Sequence, residues 1–150
     1  MKKVINLLGA VLITGSVSAQ WTYKVSDNGF DEPYKIAYTP ENNSASLYLF
    51  KIDTSVVFSV NGGYYCDDAP TVDVVFVVNG VDKKFSVEGY KGSSSDVIYI
   101  SWNLEEDPLF LEAFKTASTV RIRINESYCT TEIYTFKMTS SKAAYDFMIK

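Results

Sequence analysis

The stretch "TVDVVFVVNGVDKKFSVEGY", residues 71–90, decides how the fold is read. Val72, Val74, Phe76 and Val78 fall on one side of a period-two pattern, the spacing of a strand rather than a helix. Asp73, Val75 and Val77 fall on the other side, which is also largely apolar, so this strand is expected in the interior of a sheet. "NGVDK" collects turn-forming residues, and "KFSVEGY" (84–90) returns from it as the second arm of a hairpin.

The same signals recur on either side. Upstream, "KIAYT" (35–39), "SLYLFKI" (46–52) and "SVVFSVN" (55–61) are short strand-like runs separated by Pro40, "ENNS" and "DTS". In the second run Leu47, Leu49 and Phe50 favour burial. Downstream, "DVIYISWN" (96–103) sets Val97, Tyr99 and Ser101 opposite Ile98, Ile100 and Trp102. "TVRIRIN" (119–125) turns Val120, Ile122 and Ile124 inward and Arg121 and Arg123 outward. "TEIYTFKM" (131–138) gathers Tyr134, Phe136 and Met138 on one face. A helix is predicted over about 107–117, with Asp107 as its cap and Pro108 in its first turn. A terminal helix follows through "KAAYDFMIK", capped by Ser140 or Ser141. Close strand spacing without βαβ alternation predicts a mainly β protein: an antiparallel β-sandwich with one short internal helix and a C-terminal helix.

The opening residues read differently. Lys2 and Lys3, an apolar run over 4–13, and small residues up to Ala19 have the layout of a cleaved export signal over 1–19, leaving 20–150 as one sandwich domain. Without that segment the net charge moves from −4 to −6. Such a chain has no general attraction to nucleic acid or anionic lipid, and no membrane span is expected after cleavage.

Composition narrows the chemistry. There is no histidine, which excludes Ser-His-Asp and Cys-His pairs and histidine-liganded zinc. No phosphate-binding glycine loop is present. The carboxylate groups Asp31-Glu32, Asp67-Asp68 and Glu105-Glu106-Asp107 remain. Neighbouring residues do not face one another across a cleft as a glycosidase pair must. Glu105, Glu106 and Asp107 are expected to complement a helix start. No metal site, cofactor or catalytic residue is expected. Arg121 and Arg123 could receive a carboxylate or phosphate, but a solvated face is the simpler expectation.

Cys66 and Cys129 lie at two predicted strand ends, in "YYCDD" and "SYCTT". In an exported protein they are expected to form a disulfide, and the neighbouring aspartates disfavour a reactive thiolate. The 11 tyrosines and 9 phenylalanines exceed ordinary usage. Trp21, Tyr23, Tyr34, Tyr38, Tyr64, Tyr65, Tyr90 and Tyr128 fall near predicted strand ends or loops, where rings stack on sugars or anchor a protein, although strands also use tyrosine for packing. Tyr64, Tyr65, Asp67, Asp68 and Tyr128, around the cysteines, form the expected recognition surface.

The succession "NGFDEPYKIAY", "SLYLF", "VVFVVNGVDKKF", "FLEAFKTASTVRIRI" and "YTFKMTSSKAAYDFM" resembles the invasion-associated locus B family and related small accessory proteins of type VI secretion loci. That resemblance implies a β-sandwich envelope protein without established catalysis, and it carries over no site residues. The expectation is a secreted or periplasmic, non-enzymatic binding or accessory protein whose partner is a protein or another envelope component. The alternatives are an inhibitor or immunity factor against a basic wall hydrolase and, further off, a carboxylate-based glycoside hydrolase.

Overall fold

The computed structural model describes residues 21–26, 33–42 and 44–150. The segment expected as an export signal (1–19) and the Asp31-Glu32 pair lie outside the described residues. In chain order the strands are β1 (Thr22–Ser26), β2 (Tyr34–Tyr38), β3 (Ala45–Ile52), β4 (Ser55–Gly62), β5 (Thr71–Val78), β6 (Val81–Glu88), β7 (Tyr90–Lys91), β8 (Val97–Ser101), β9 (Thr119–Asn125) and β10 (Glu132–Lys137). Helix α1 (Pro108–Thr116) lies between β8 and β9, and α2 (Ser141–Ile149) follows β10. The strands form two antiparallel sheets, a wide one in the order β1-β2-β3-β4-β8-β7 and a narrow one in the order β10-β9-β5-β6. The protein is a mainly β, antiparallel sandwich with two helices, as its periodicity predicts.

The 71–90 stretch forms the β5–β6 hairpin and then leaves its sheet. Asn79 and Gly80 both take positive φ, 51° and 75°, the geometry of a two-residue turn that matches strand twist. Val78 and Val81 close the ladder beside it. β5 lies between β6 and β9, an interior position, with Val72, Val74 and Phe76 fully buried. After β6 the chain crosses to the wide sheet, where Tyr90 pairs with Tyr99. Gly89 makes the crossing, since a Cβ there would stand 2.7 Å from Val72 Cγ2 and 3.0 Å from Ile98 Cγ2. A larger residue would wedge the two sheets apart.

Asp107 accepts from the N–H groups of Leu109 and Phe110 (3.1 and 3.0 Å), so α1 starts where its capping residue predicts. Glu105 and Glu106 form a separate 3-10 turn ahead of it, and the Glu105 carboxylate accepts from Tyr145 at 2.5 Å. α1 drives Phe110 and Phe114 into the core, where edge contacts reach Phe76 (5.1 Å from Phe110) and Phe58 (5.3 Å from Phe114). α2 covers the inner side of β2 and β3. Ser140 does not cap α2 with its side chain, nor is Ser141 the cap. Ser140 adopts a left-handed turn, and the Ser141 hydroxyl donates to the Phe114 carbonyl at 2.6 Å, joining the two helices.

Candidate functional site

The cysteine end is built first by covalency. Cys66 and Cys129 form a disulfide with Cα atoms 6.0 Å apart. Cys66 lies on the segment that carries the chain from the wide sheet to the narrow one, and Cys129 lies between β9 and β10. The bridge closes a loop with a sequence separation of 63, worth about 4 kcal/mol on the chain-entropy model. The same two segments also exchange charge-assisted hydrogen bonds. The Glu126 carboxylate accepts from the Cys66 and Asp67 backbone N–H groups at 2.5 and 3.0 Å, and the Asp67 carboxylate accepts from the Ser127 N–H. Lys91 donates to the Cys66 carbonyl at 3.1 Å and pairs with Asp68 at 2.8 Å.

This geometry makes the cysteine end a joint. Cys66, Glu126 and Cys129 sit close enough to share an ion, but both sulfurs are consumed by the disulfide, leaving one carboxylate oxygen. Tyr65 must be withdrawn from the expected recognition surface. It is fully buried, and its hydroxyl donates to Tyr134 at 3.1 Å. Burial and that hydrogen bond push its phenol far above the ordinary value. Asp67 is half-buried and engaged by backbone, so it too is spent on structure. Tyr64 (67% exposed), Tyr128 (89%) and Asp68 do reach solvent. No ring stacking joins the two tyrosines. Trp21, another candidate, belongs to the core, 6.0 Å from Phe114.

A different surface assembles on the outer face of the wide sheet. Residues directly opposite one another share a face. The registers therefore align Tyr34, Ile36 and Tyr38 of β2 with Ser46, Tyr48, Phe50 and Ile52 of β3. They also align Ser55, Val57, Ser59 and Asn61 of β4 with Val97 and Tyr99 of β8, and with Tyr90 of β7. None of these is charged. Tyr38 and Tyr48 stack at 5.3 Å with 14° between their planes, Phe50 meets Tyr99 edge-on at 5.9 Å, and Tyr99 stacks on Trp102 at 4.5 Å. Tyr90 lies 6.4 Å from Trp102. Val57 and Ser59 are small residues on the central strand, directly opposite Phe50, Tyr48 and Tyr99, and are fully buried among them.

Alternation within 96–103 sets Trp102 on the side of Ile98 and Ile100, which the structure buries, yet Trp102 itself faces outward. Ser59 pairs with Tyr99, while the adjacent Phe58 pairs with Ser101, so Ile100 is an extra residue on β8. Such a bulge reverses the side on which later residues emerge. Ser101 turns to the side of the inward-facing Phe58, and Trp102 emerges beside Tyr99, 47% exposed. The rest of the face was readable in principle. Tyr48 and Phe50 alternate with Leu47 and Leu49, a strand apolar on both sides, but a two-sided apolar strand does not disclose which side stays uncovered.

The outer face of the narrow sheet is its opposite. Arg121 pairs with Asp82 and Arg123 with Asp73, each at 2.6 Å. Asp73 also accepts from Asn125 (2.9 Å) and Ser86 (2.9 Å). The Arg123 guanidinium foremost, with Asn125, holds the Asp73 carboxyl below its ordinary range. Both arginines are thus engaged by the protein's own acids rather than presented to a ligand.

Compared with protein-family models, with curated proteins and with solved structures, the chain matches none.

Proposed function

We propose that the protein is a secreted or periplasmic, non-catalytic binding protein that works through the outer face of its wide sheet. One observation carries this reading: four adjacent strands present no charged side chain outward, in a chain of net charge −4, while Tyr90 and Trp102 at one end of the face are 43% and 47% exposed. Aromatic residues on a rigid sheet lose little conformational entropy on contact and supply large contact area, as binding hot spots do. The signal-like opening, the disulfide and the resemblance to invasion-associated locus B proteins support an envelope or extracellular setting. The absence of histidine from the whole sequence supports a role without acid–base catalysis at neutral pH. Among the described residues no helix is long and apolar enough to cross a membrane.

The reading is tested by hydrogen exchange and by side-chain labelling of tyrosine and tryptophan, with and without a fractionated envelope extract. Protection is expected on β3, β8 and Trp102 and not on β6 or β10. Protection confined to Tyr64 and Tyr128 would return the site to the cysteine end.

A further inference from the structure

Resting on the binding role just proposed, we infer that the occupant of the aromatic face is an uncharged polysaccharide chain. The first argument is charge. A phosphate-bearing or carboxylated ligand needs cations, and among the described residues the one beside the stacked rings is Lys24 at the β1 rim, already 5.4 Å above the Tyr38 ring. A basic partner needs acids, and the outward positions of β2, β3, β4 and β8 hold none. A neutral ligand is the complement of a neutral face.

The second argument is shape. The rings are distributed over β2, β3, β8 and β7, which with β4 span four strand intervals, roughly 19 Å at ordinary sheet spacing. That is a track for an extended chain rather than a seat for a single small molecule. A sugar ring offers one face of weakly positive C–H groups, which suits the negative face of an aromatic ring.

The third argument is hydrogen bonding. Tyr65 and Tyr145 satisfy their hydroxyls inside the protein. The hydroxyls of Tyr38, Tyr48, Tyr90 and Tyr99 have no such partner among the described residues. Asn61, half-buried on the central strand and held by the buried Ser59 hydroxyl at 2.8 Å, adds one more polar group beside the rings. An aliphatic protein surface would dry those phenols without pairing them, at a cost for each. A polysaccharide brings a hydroxyl to every ring.

The experiment is retention of the full-length protein on cellulose, chitin and amylose, with polygalacturonate as an acidic comparison, at low and high salt. Wild type is compared with Trp102→Ala, Tyr48→Ser and, on α1, the exposed control Leu109→Ser. Circular dichroism and melting confirm that each variant folds. Retention on at least one neutral polysaccharide is expected, insensitive to salt, about tenfold weaker in Trp102→Ala and unchanged in Leu109→Ser. No retention on any neutral polysaccharide, retention equal in all variants, or retention on polygalacturonate alone overturns the inference. Sedimentation separates that failure from failure of the binding role. A wild-type dimer dissolved by Trp102→Ala sinks the polysaccharide and keeps the face as a binding surface. Labelling by envelope extract that ignores the face sinks both.

Discussion

The two outer faces of this sandwich are made from the same kind of strand and finished in opposite ways. On the narrow sheet, Asp73, Arg121, Arg123 and Asp82 lock one another in ion pairs, and the aliphatic side chains between them are half-covered. On the wide sheet the central strand carries Val57 and Ser59 outward, and rings from the flanking strands bury both. One face meets its electrostatic needs internally and offers a ligand little. The other leaves aromatic area and phenol hydroxyls for something else to meet. Together they teach that a binding surface is better located by what its groups still lack than by how many charged residues it displays.

The largest effect tests the frame that holds both faces in register. Cys66→Ser with Cys129→Ser is expected to lower stability by about 4 kcal/mol, read from urea unfolding. A loss below about 1 kcal/mol would mean that the Glu126 and Asp67 hydrogen bonds hold the joint alone. Next comes a matched pair of substitutions. Val57→Asp buries an unpaired charge on the aromatic face and is expected to cost about 3 kcal/mol or more. Val75→Asp, directly across from Arg121 and Lys84, is expected to cost about 1 kcal/mol or less. Equal costs would erase the contrast between the faces.

Acid sharpens the same comparison. Because the folded protein holds the Asp73 carboxyl below its ordinary value, its contribution is complete above the unfolded carboxylate range and fades as pH falls through the lowered folded value. Asp73→Asn should therefore flatten the acid limb of stability against pH and cost about 1 kcal/mol at neutral pH. At the alkaline end, burial foremost, with the bond to Glu105, pushes the Tyr145 phenol up to about 12. Its contribution is complete below the ordinary tyrosine value and is lost as pH rises toward the folded one, so Tyr145→Phe should flatten the alkaline limb over that window. The last effect is the most diagnostic. Trp102→Ala should cost about 1 kcal/mol, the order of its stack on Tyr99, since the ring stands half in water past the end of β8. A large loss would make Trp102 a packing residue and remove it from the binding face.

Much of this protein was legible residue by residue. Period-two alternation set the inward sides of β5, β9 and β10, because burial of one face imposes that spacing. Asp107 and Pro108 marked the start of α1, because a carboxylate and a ring with fixed φ suit the first turn of a helix. An even pair of cysteines in a chain with an export-like opening marked the disulfide. Three matters belonged to the tertiary structure alone. Alternation says which residues share a side and not whether that side is covered, so β3, apolar on both, kept its open face hidden until α2 took the other. Tyr64 and Tyr65 are adjacent and chemically alike, and only the packing of Tyr134 buried the second. The one-residue bulge at Ile100 leaves no mark in composition or period, yet it turns Trp102 from the core to the surface, because pairing between strands distant in sequence sets register.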